Sequence, residues 1–267
     1  MHEFRVLFFG DIVGAIGRKA VVAALPKLRE QHSPNLVIAN VENLAHGRGI
    51  TAKTLEELDA AGVDAYTSGN HVWENPLGLP CFDNPRWKDR LVRPANVIAK
   101  REGKGVTTID KDGVRILLIN LLGQLFMKDE VESPFAAFDA LVSKHAGDII
   151  LVDLHAETTS EKEAFGHHTD GRATAVVGSH THVPTADQKL LPAGTAYVTD
   201  IGRNGGMDTV VGFEKTAALK RFLSNGAIKA YDPPEHGPAE VNAVLLKVDL
   251  DTKRALALTR IREVIEV

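Results

Sequence analysis

Residues 170–187 read DGRATAVVGSHTHVPTAD, and the middle of that stretch decides the fold. Ala175–Val177 is a short apolar run that stops at Gly178-Ser179, with His180 and His182 directly behind it. A short, unbroken run rich in Val, Ile and Leu is how a strand buried on both faces reads. The same pattern recurs toward the N-terminus. Ile149–Leu154 leads to His155, and Ile116–Ile119 leads to Asn120. Ala65–Thr67 gives way to Ser68-Gly69-Asn70-His71, Leu36–Ala39 to Asn40 through Asn43, and Val6–Phe9 to Gly10-Asp11.

Helical patterns fill the intervals. Arg18–Gln31 carries Ala, Val and Leu at helical spacing. Thr51–Ala61 opens on a capping Thr51 and closes at Gly62. Pro134–His145 has Ser133 as its cap, Pro134 at the first helical position and Gly147 at its end, and Glu214–Ser224 stops before Asn225-Gly226. Alternating strand and helix predicts an α/β layered fold. The C-terminal part reads differently. Val241–Leu250, the turn Asp251-Thr252-Lys253 and Ala255–Ile265 spell a β-hairpin, reached through a proline-rich connection containing Pro233, Pro234 and Pro238. The expectation is one domain over residues 1–267, built from two packed sheets with outer helices.

Composition narrows the function. With 267 residues, 44% of them hydrophobic and 25% charged, the chain buries a sizeable core without disulfides, and its one cysteine, Cys81, reads as a small buried hydrophobe. A net charge of −4 provides no basic field for bulk nucleic acid. No apolar run approaches a membrane span, and residues 1–10 read as a first strand, not a signal peptide, so the expected compartment is the cytoplasm. Homo-oligomerisation is compatible with all of this.

The chemistry collects at the ends of the runs. In α/β folds ligands bind at the carboxyl ends of strands, where loops converge. Those positions hold Asp11, Glu42 with Asn43, Asn70 with His71, His155, and His180 with His182. Each alone is an ordinary turn residue; together they form a donor set. His180 and His182, two apart in an extended segment, are expected to face one cavity. Asp153, flanking His155, is expected to point away from it. His46 follows Glu42 in a loop, and the remaining histidines read as solvated. Imidazole nitrogens with carboxylate oxygens suit iron, manganese or zinc, and the lack of cysteine ligands argues against a structural zinc site. Two metals need a shared carboxylate, and Glu42 is the candidate. Such a pair supplies a hydroxide nucleophile and clamps the oxygens of a phosphoryl displacement. Bound cations would also attract an anionic substrate to an acidic protein.

The series Gly10-Asp11, Val41-Glu42-Asn43, Gly69-Asn70-His71, His155 and Gly178-Ser179-His180-Thr181-His182 resembles the calcineurin-like metallophosphoesterase superfamily. Two positions depart from its common pattern. Val13 stands where Asp-x-His would put a histidine, and Glu42 stands where the bridging Asp would be. Those departures, with GDIVGAIGR, NVENLAHGRGIT, SGNHVW, LVRPAN, DLHAETTSEK and AYVTDIG, resemble the YmdB-like bacterial phosphodiesterases over nearly the whole chain. The resemblance implies a layered β-sandwich of two mixed sheets flanked by helices. It implies hydrolysis of phosphomonoesters and phosphodiesters, including 2′,3′-cyclic nucleotides, with two iron or manganese ions. It implies Asp11, Glu42, Asn43 and His182 on one metal, Glu42, Asn70, His155 and His180 on the other, and His71 as general acid.

Three alternatives compete. Gly10, Gly14 and Gly17 fit neither G-x-G-x-x-G nor G-x-x-x-x-G-K-[ST]. A metal-dependent amidohydrolase would carry His-x-His on its first strand of a (β/α)₈ barrel, where Asp11 stands instead. A regulator that binds nucleotide or RNA without turnover would not need a general acid. The candidate pocket loops, Ala45–Thr51 and Gly202–Asp208, are rich in glycine and poor in aromatics, which predicts a broad esterase with weak preference among bases.

Overall fold

The unbroken apolar runs become strands whose two faces feed different cores. A computed structural model describes residues 3–143, 145, 148–224 and 232–267. The strands are β1 (Glu3–Ile12), β2 (Leu36–Asn40), β3 (Ala65–Thr67), β4 (Val106–Lys111), β5 (Val114–Leu122), β6 (Ile149–His155) and β7 (Ala175–Ser179). There follow β8 (Lys189–Leu190), β9 (Ala196–Val198), β10 (Arg203–Gly206), β11 (Thr209–Val210), β12 (Phe213–Glu214), β13 (Pro238–Asp249) and β14 (Ala255–Glu266). The α-helices are α1 (Gly14–His32), α2 (Ala52–Ala61), α3 (Pro134–Val142), α4 (Thr159–Thr169) and α5 (Lys215–Leu223).

Two six-stranded mixed sheets result, in the orders β14-β13-β10-β1-β2-β3 and β4-β5-β6-β7-β9-β8. The α/β layered sandwich is therefore present, and among the described residues the strands form these open sheets and not the barrel of the amidohydrolase alternative. Alternation along each strand divides the core. Phe4, Val6 and Phe8 of β1 join Ile116 and Leu118 of β5 and Ile149 and Leu151 of β6 between the sheets. Leu7 and Phe9 turn to the opposite face, against Ala20, Ala24 and Leu28 of α1. Leu117, Ile150 and Val152 pack outward against Phe138 of α3 and Phe165 of α4.

Helix boundaries show where local signals suffice. Helix α2 carries the Thr51 cap in full, with Thr54 answering it, and ends at Gly62 with φ +96°. Helix α1 starts at Gly14, four residues before the expected Arg18, with no side-chain cap. Its first amide donates to the carbonyl of Asn43 (2.9 Å), a tertiary partner that no local pattern announces. Helix α3 ends at Val142; the expected stop at Gly147 and the break at Asn225-Gly226 lie outside the described residues. Helix α4 escapes periodicity because its inward face includes Glu161 and Lys162, both buried. The C-terminal hairpin pairs β13 with β14 from Pro238–Glu266 to Val248–Ala255. Residues Arg203–Gly206, expected in a pocket loop, form the buried strand β10 beside β1 and β13. Among the described residues no helix is long and apolar enough to cross a membrane.

Candidate metal centre and its cleft

Five strand ends deliver the donor residues to one place. Strand β1 shifts register against β2 between Phe9 and Asp11, and such a bulge re-aims the residue that follows it. Gly10 is required there, because a Cβ would stand 1.8 Å from the Gly202 carbonyl oxygen. The loop after β2 brings Glu42 and Asn43, the turn after β3 brings Asn70 and His71, β6 ends in His155, and β7 leads to His180 and His182. Gly69 leaves room for the cluster itself; a Cβ there would lie 2.3 Å from both Glu42 Oε2 and His155 Nε2.

His155 Nε2 lies 3.2 Å from Glu42 Oε2 and 3.1 Å from Asn70 Oδ1 and His180 Nδ1. Glu42, His155 and His180 place ligand atoms within 4.8 Å of one another, as do Asp11, Glu42 and His182. Glu42 belongs to both sets. Asp11 Oδ1 and Asn43 Oδ1 are buried without a hydrogen-bond partner, a costly condition for polar oxygens in a dry site. A cation between the donors would satisfy them. The electrostatics agree. Burial, with Glu42 and Asp200 nearby, pushes Asp11 well above the carboxylate range. Burial would raise Glu42 too, but His155 and the His71 amide prevail and hold it low. Burial works against the charge on His155, yet Glu42 lifts it to about 9. Burial and the neighbouring His155 push His180 down to about 3, and burial lowers His182. Two close carboxylates with the neutral imidazoles of His180 and His182 fit borderline divalent metals, and a cation in place of the His155 proton would answer the same carboxylates.

The model of the YmdB-like protein family matches residues 7–261. The chain belongs to the YmdB-like family. A 2′,3′-cyclic-nucleotide 2′-phosphodiesterase from Bacillus subtilis is 41% identical, with 96% of each chain covered. A crystal structure described as a novel phosphatase from Mycoplasma pneumoniae superposes with a TM-score of 0.92 at 36% identity, covering 100% of this chain and 95% of that one. A hypothetical protein from Thermus thermophilus gives a TM-score of 0.90 at 37% identity, covering 98% of this chain and 99% of that one.

In this YmdB-like chain the histidine donors are oriented from behind. Asp153 shares the face of His155, contrary to the expectation that it points away, because a two-residue step on a strand returns to the same side. Its carboxylate accepts from Ser179 Oγ (2.6 Å), Asn40 Nδ2 (2.9 Å) and Thr67 Oγ1 (2.5 Å), tying both sheets together under the cluster. Since Ser179 spends its proton on Asp153, its oxygen accepts from His155 Nδ1 (2.9 Å), so Nε2 is the nitrogen that would bind a metal on losing its proton. His182 Nδ1 donates to the Val211 carbonyl (2.7 Å), and His180 Nε2 contacts Glu157 (3.0 Å).

The His180-Thr181-His182 segment is not extended. His180 has φ +96° and His182 φ +66°, a conformation that most side chains avoid. Asp200 holds it, accepting from Thr181 N (3.1 Å) and Oγ1 (2.8 Å) while paired with the buried Lys162 (2.8 Å). Lys162 also donates to the Ser179 carbonyl (2.7 Å). Both imidazoles reach the cluster through this strained turn.

His71 Nδ1 lies 2.5 Å from Glu74 Oε1, and Glu74 is 3.2 Å from Arg48. Glu74 is not among the expected site residues, although an acid stands three residues after His71 in the SGNHVWE stretch. Nor are Ser179, Asp200 and Lys162, which no metal-ligand spacing marks. A cleft of about 540 Å³ opens beside the cluster, with Asn70, His71 and His180 at its metal end and Arg48, Trp73, Arg101 and Phe126 along its wall. A second cavity of about 340 Å³ reaches Glu42, Asn43 and His182. His46 lines a different cavity, with Arg18 and Thr51.

Proposed function

We propose that this chain is a binuclear metal-dependent phosphodiesterase and phosphatase that hydrolyses 2′,3′-cyclic nucleotides. The observation that carries this reading is Glu42, shared by two donor sets beside the unpaired oxygens of Asp11 and Asn43. That the chain is a phosphoric ester hydrolase is the coarser statement, supported by the 41% identical phosphodiesterase of Bacillus subtilis. Asp11, Glu42, Asn43 and His182 would hold one ion, and Glu42, Asn70, His155 and His180 the other. Iron is the metal this reading favours, with manganese as its substitute. When bound, the two ions supply a nucleophile at neutral pH and positive charge for the phosphoryl oxygens.

The chain supplies the rest. His71 lines the cleft beside Asn70, and its backbone amide donates to Glu42 Oε2 (3.0 Å), so its position is locked to that of the metal ligands. Glu74 occupies its Nδ1 and fixes the orientation of the ring. That leaves Nε2 to deliver a proton to the departing ester oxygen. Arg48, through Glu74, steadies this pair and adds a cation to the cleft.

Turnover of bis(p-nitrophenyl) phosphate and 2′,3′-cyclic AMP tests the reading. The purified protein should cleave both, lose activity when chelator removes its metal, and regain it with iron or manganese. Metal-loaded protein that binds cyclic AMP without cleaving either ester would favour the regulator instead.

A further inference from the structure

Phe126 is the most exposed large hydrophobic residue among those described, at 88%, and its backbone sits at φ +62°. A bulky residue in that conformation is strained, and an exposed ring gains nothing from burial. The strain is imposed by a fixed loop. Glu161, reaching from α4, accepts from the amides of Gln124 (2.9 Å) and Leu125 (3.2 Å). Gln124 Nε2 then donates to the Val131 carbonyl (3.0 Å), and Val131 bridges to Val97. The loop is thus anchored at both ends while its tip presents a bare aromatic ring to the cleft.

Trp73 lines the same cleft with the Arg101 guanidinium 5.5 Å over its ring, and its Nε1 is tied to the Glu102 carbonyl (3.3 Å). Flat π surfaces and a planar cation are the groups on which a nucleobase stacks. The cleft volume of about 540 Å³ suits a small organic ligand. These residues lie outside Ala45–Thr51 and Gly202–Asp208, the aromatic-poor loops from which a pocket without base contacts was expected. Resting on the phosphoesterase reading, we propose that Phe126 and the Arg101-covered Trp73 form a base-binding subsite. The preferred substrate then carries a nucleobase beside the reacting ester. Because every base has a π face, the subsite rewards the presence of a base more than its identity.

The test compares kcat/KM of the metal-loaded enzyme on 2′,3′-cyclic AMP and on base-free 1-O-methylribose 2′,3′-cyclic phosphate. Phe126→Ala should lower kcat/KM on the nucleotide roughly 5- to 150-fold, the worth of one stacked base, mainly through KM. The base-free ester should be unaffected, and Phe126→Trp should keep wild-type preference. Equal losses on both esters, or no loss on either, would overturn the proposal and leave the hydrolase reading standing. Calorimetric binding of AMP against ribose 5-phosphate provides a readout independent of turnover. Tighter AMP binding that Phe126→Ala abolishes supports the subsite even where neither ester is cleaved, which would sink the hydrolase reading alone.

Discussion

The two ends of the cleft are built differently. At the metal end Asp11, Glu42, Asn43, His155 and His182 are all 7% exposed or less, and each stands at the end of a buried strand or in the segment just behind it. The outer wall consists of loop residues: Trp73 is half-buried and Phe126 almost fully exposed. Strand ends are fixed by hydrogen-bonded ladders and by two cores, so a donor placed there is held before any ligand arrives. Loop residues are placed by a few anchors such as Glu161. The metal end should therefore govern metal affinity and chemistry, whereas the wall governs which substrate stays bound.

The largest effect that would sharpen this division is at His71, where the two ends meet. His71→Ala should retain metal yet lose roughly 10²–10⁴-fold in kcat, the usual share of a general acid. The loss should shrink on p-nitrophenyl esters, whose leaving group needs little protonation. Equal losses on good and poor leaving groups would make His71 an orienting residue for Asn70. A smaller effect is expected behind the cluster. Ser179→Ala removes the hydroxyl that fixes the His155 tautomer, and metal affinity should fall about 10–100-fold by competition titration. Phe126→Ala should leave that affinity unchanged. A wall variant that weakened metal binding as much as Ser179→Ala would break the comparison.

The same division explains what was legible in the sequence. Apolar runs such as Val6–Phe9 and Ile149–Leu154 announce strands buried on both faces, and the residues closing them announce the donors. Periodicity is silent where a tertiary partner replaces a local one. Asn43 caps α1, buried Lys162 interrupts the apolar face of α4, and glycines disguise β10 as a loop. The support of the donors was hidden for a similar reason. Ser179 read only as a turn residue, and its hydrogen bonds to Asp153 and His155 appear once β6 and β7 pair. The wall was illegible because Trp73, Arg101 and Phe126 are distant in sequence and meet only through loop closure.

The central claim is that Glu42 serves two metals at once. Metal analysis of the purified protein, combined with anomalous diffraction to locate the ions, tests it directly. About two transition-metal ions per chain should be found, both on Glu42, one beside Asp11, Asn43 and His182 and the other beside Asn70, His155 and His180. A single ion in the fully loaded protein, or metal held only by surface histidines such as His167, would contradict it.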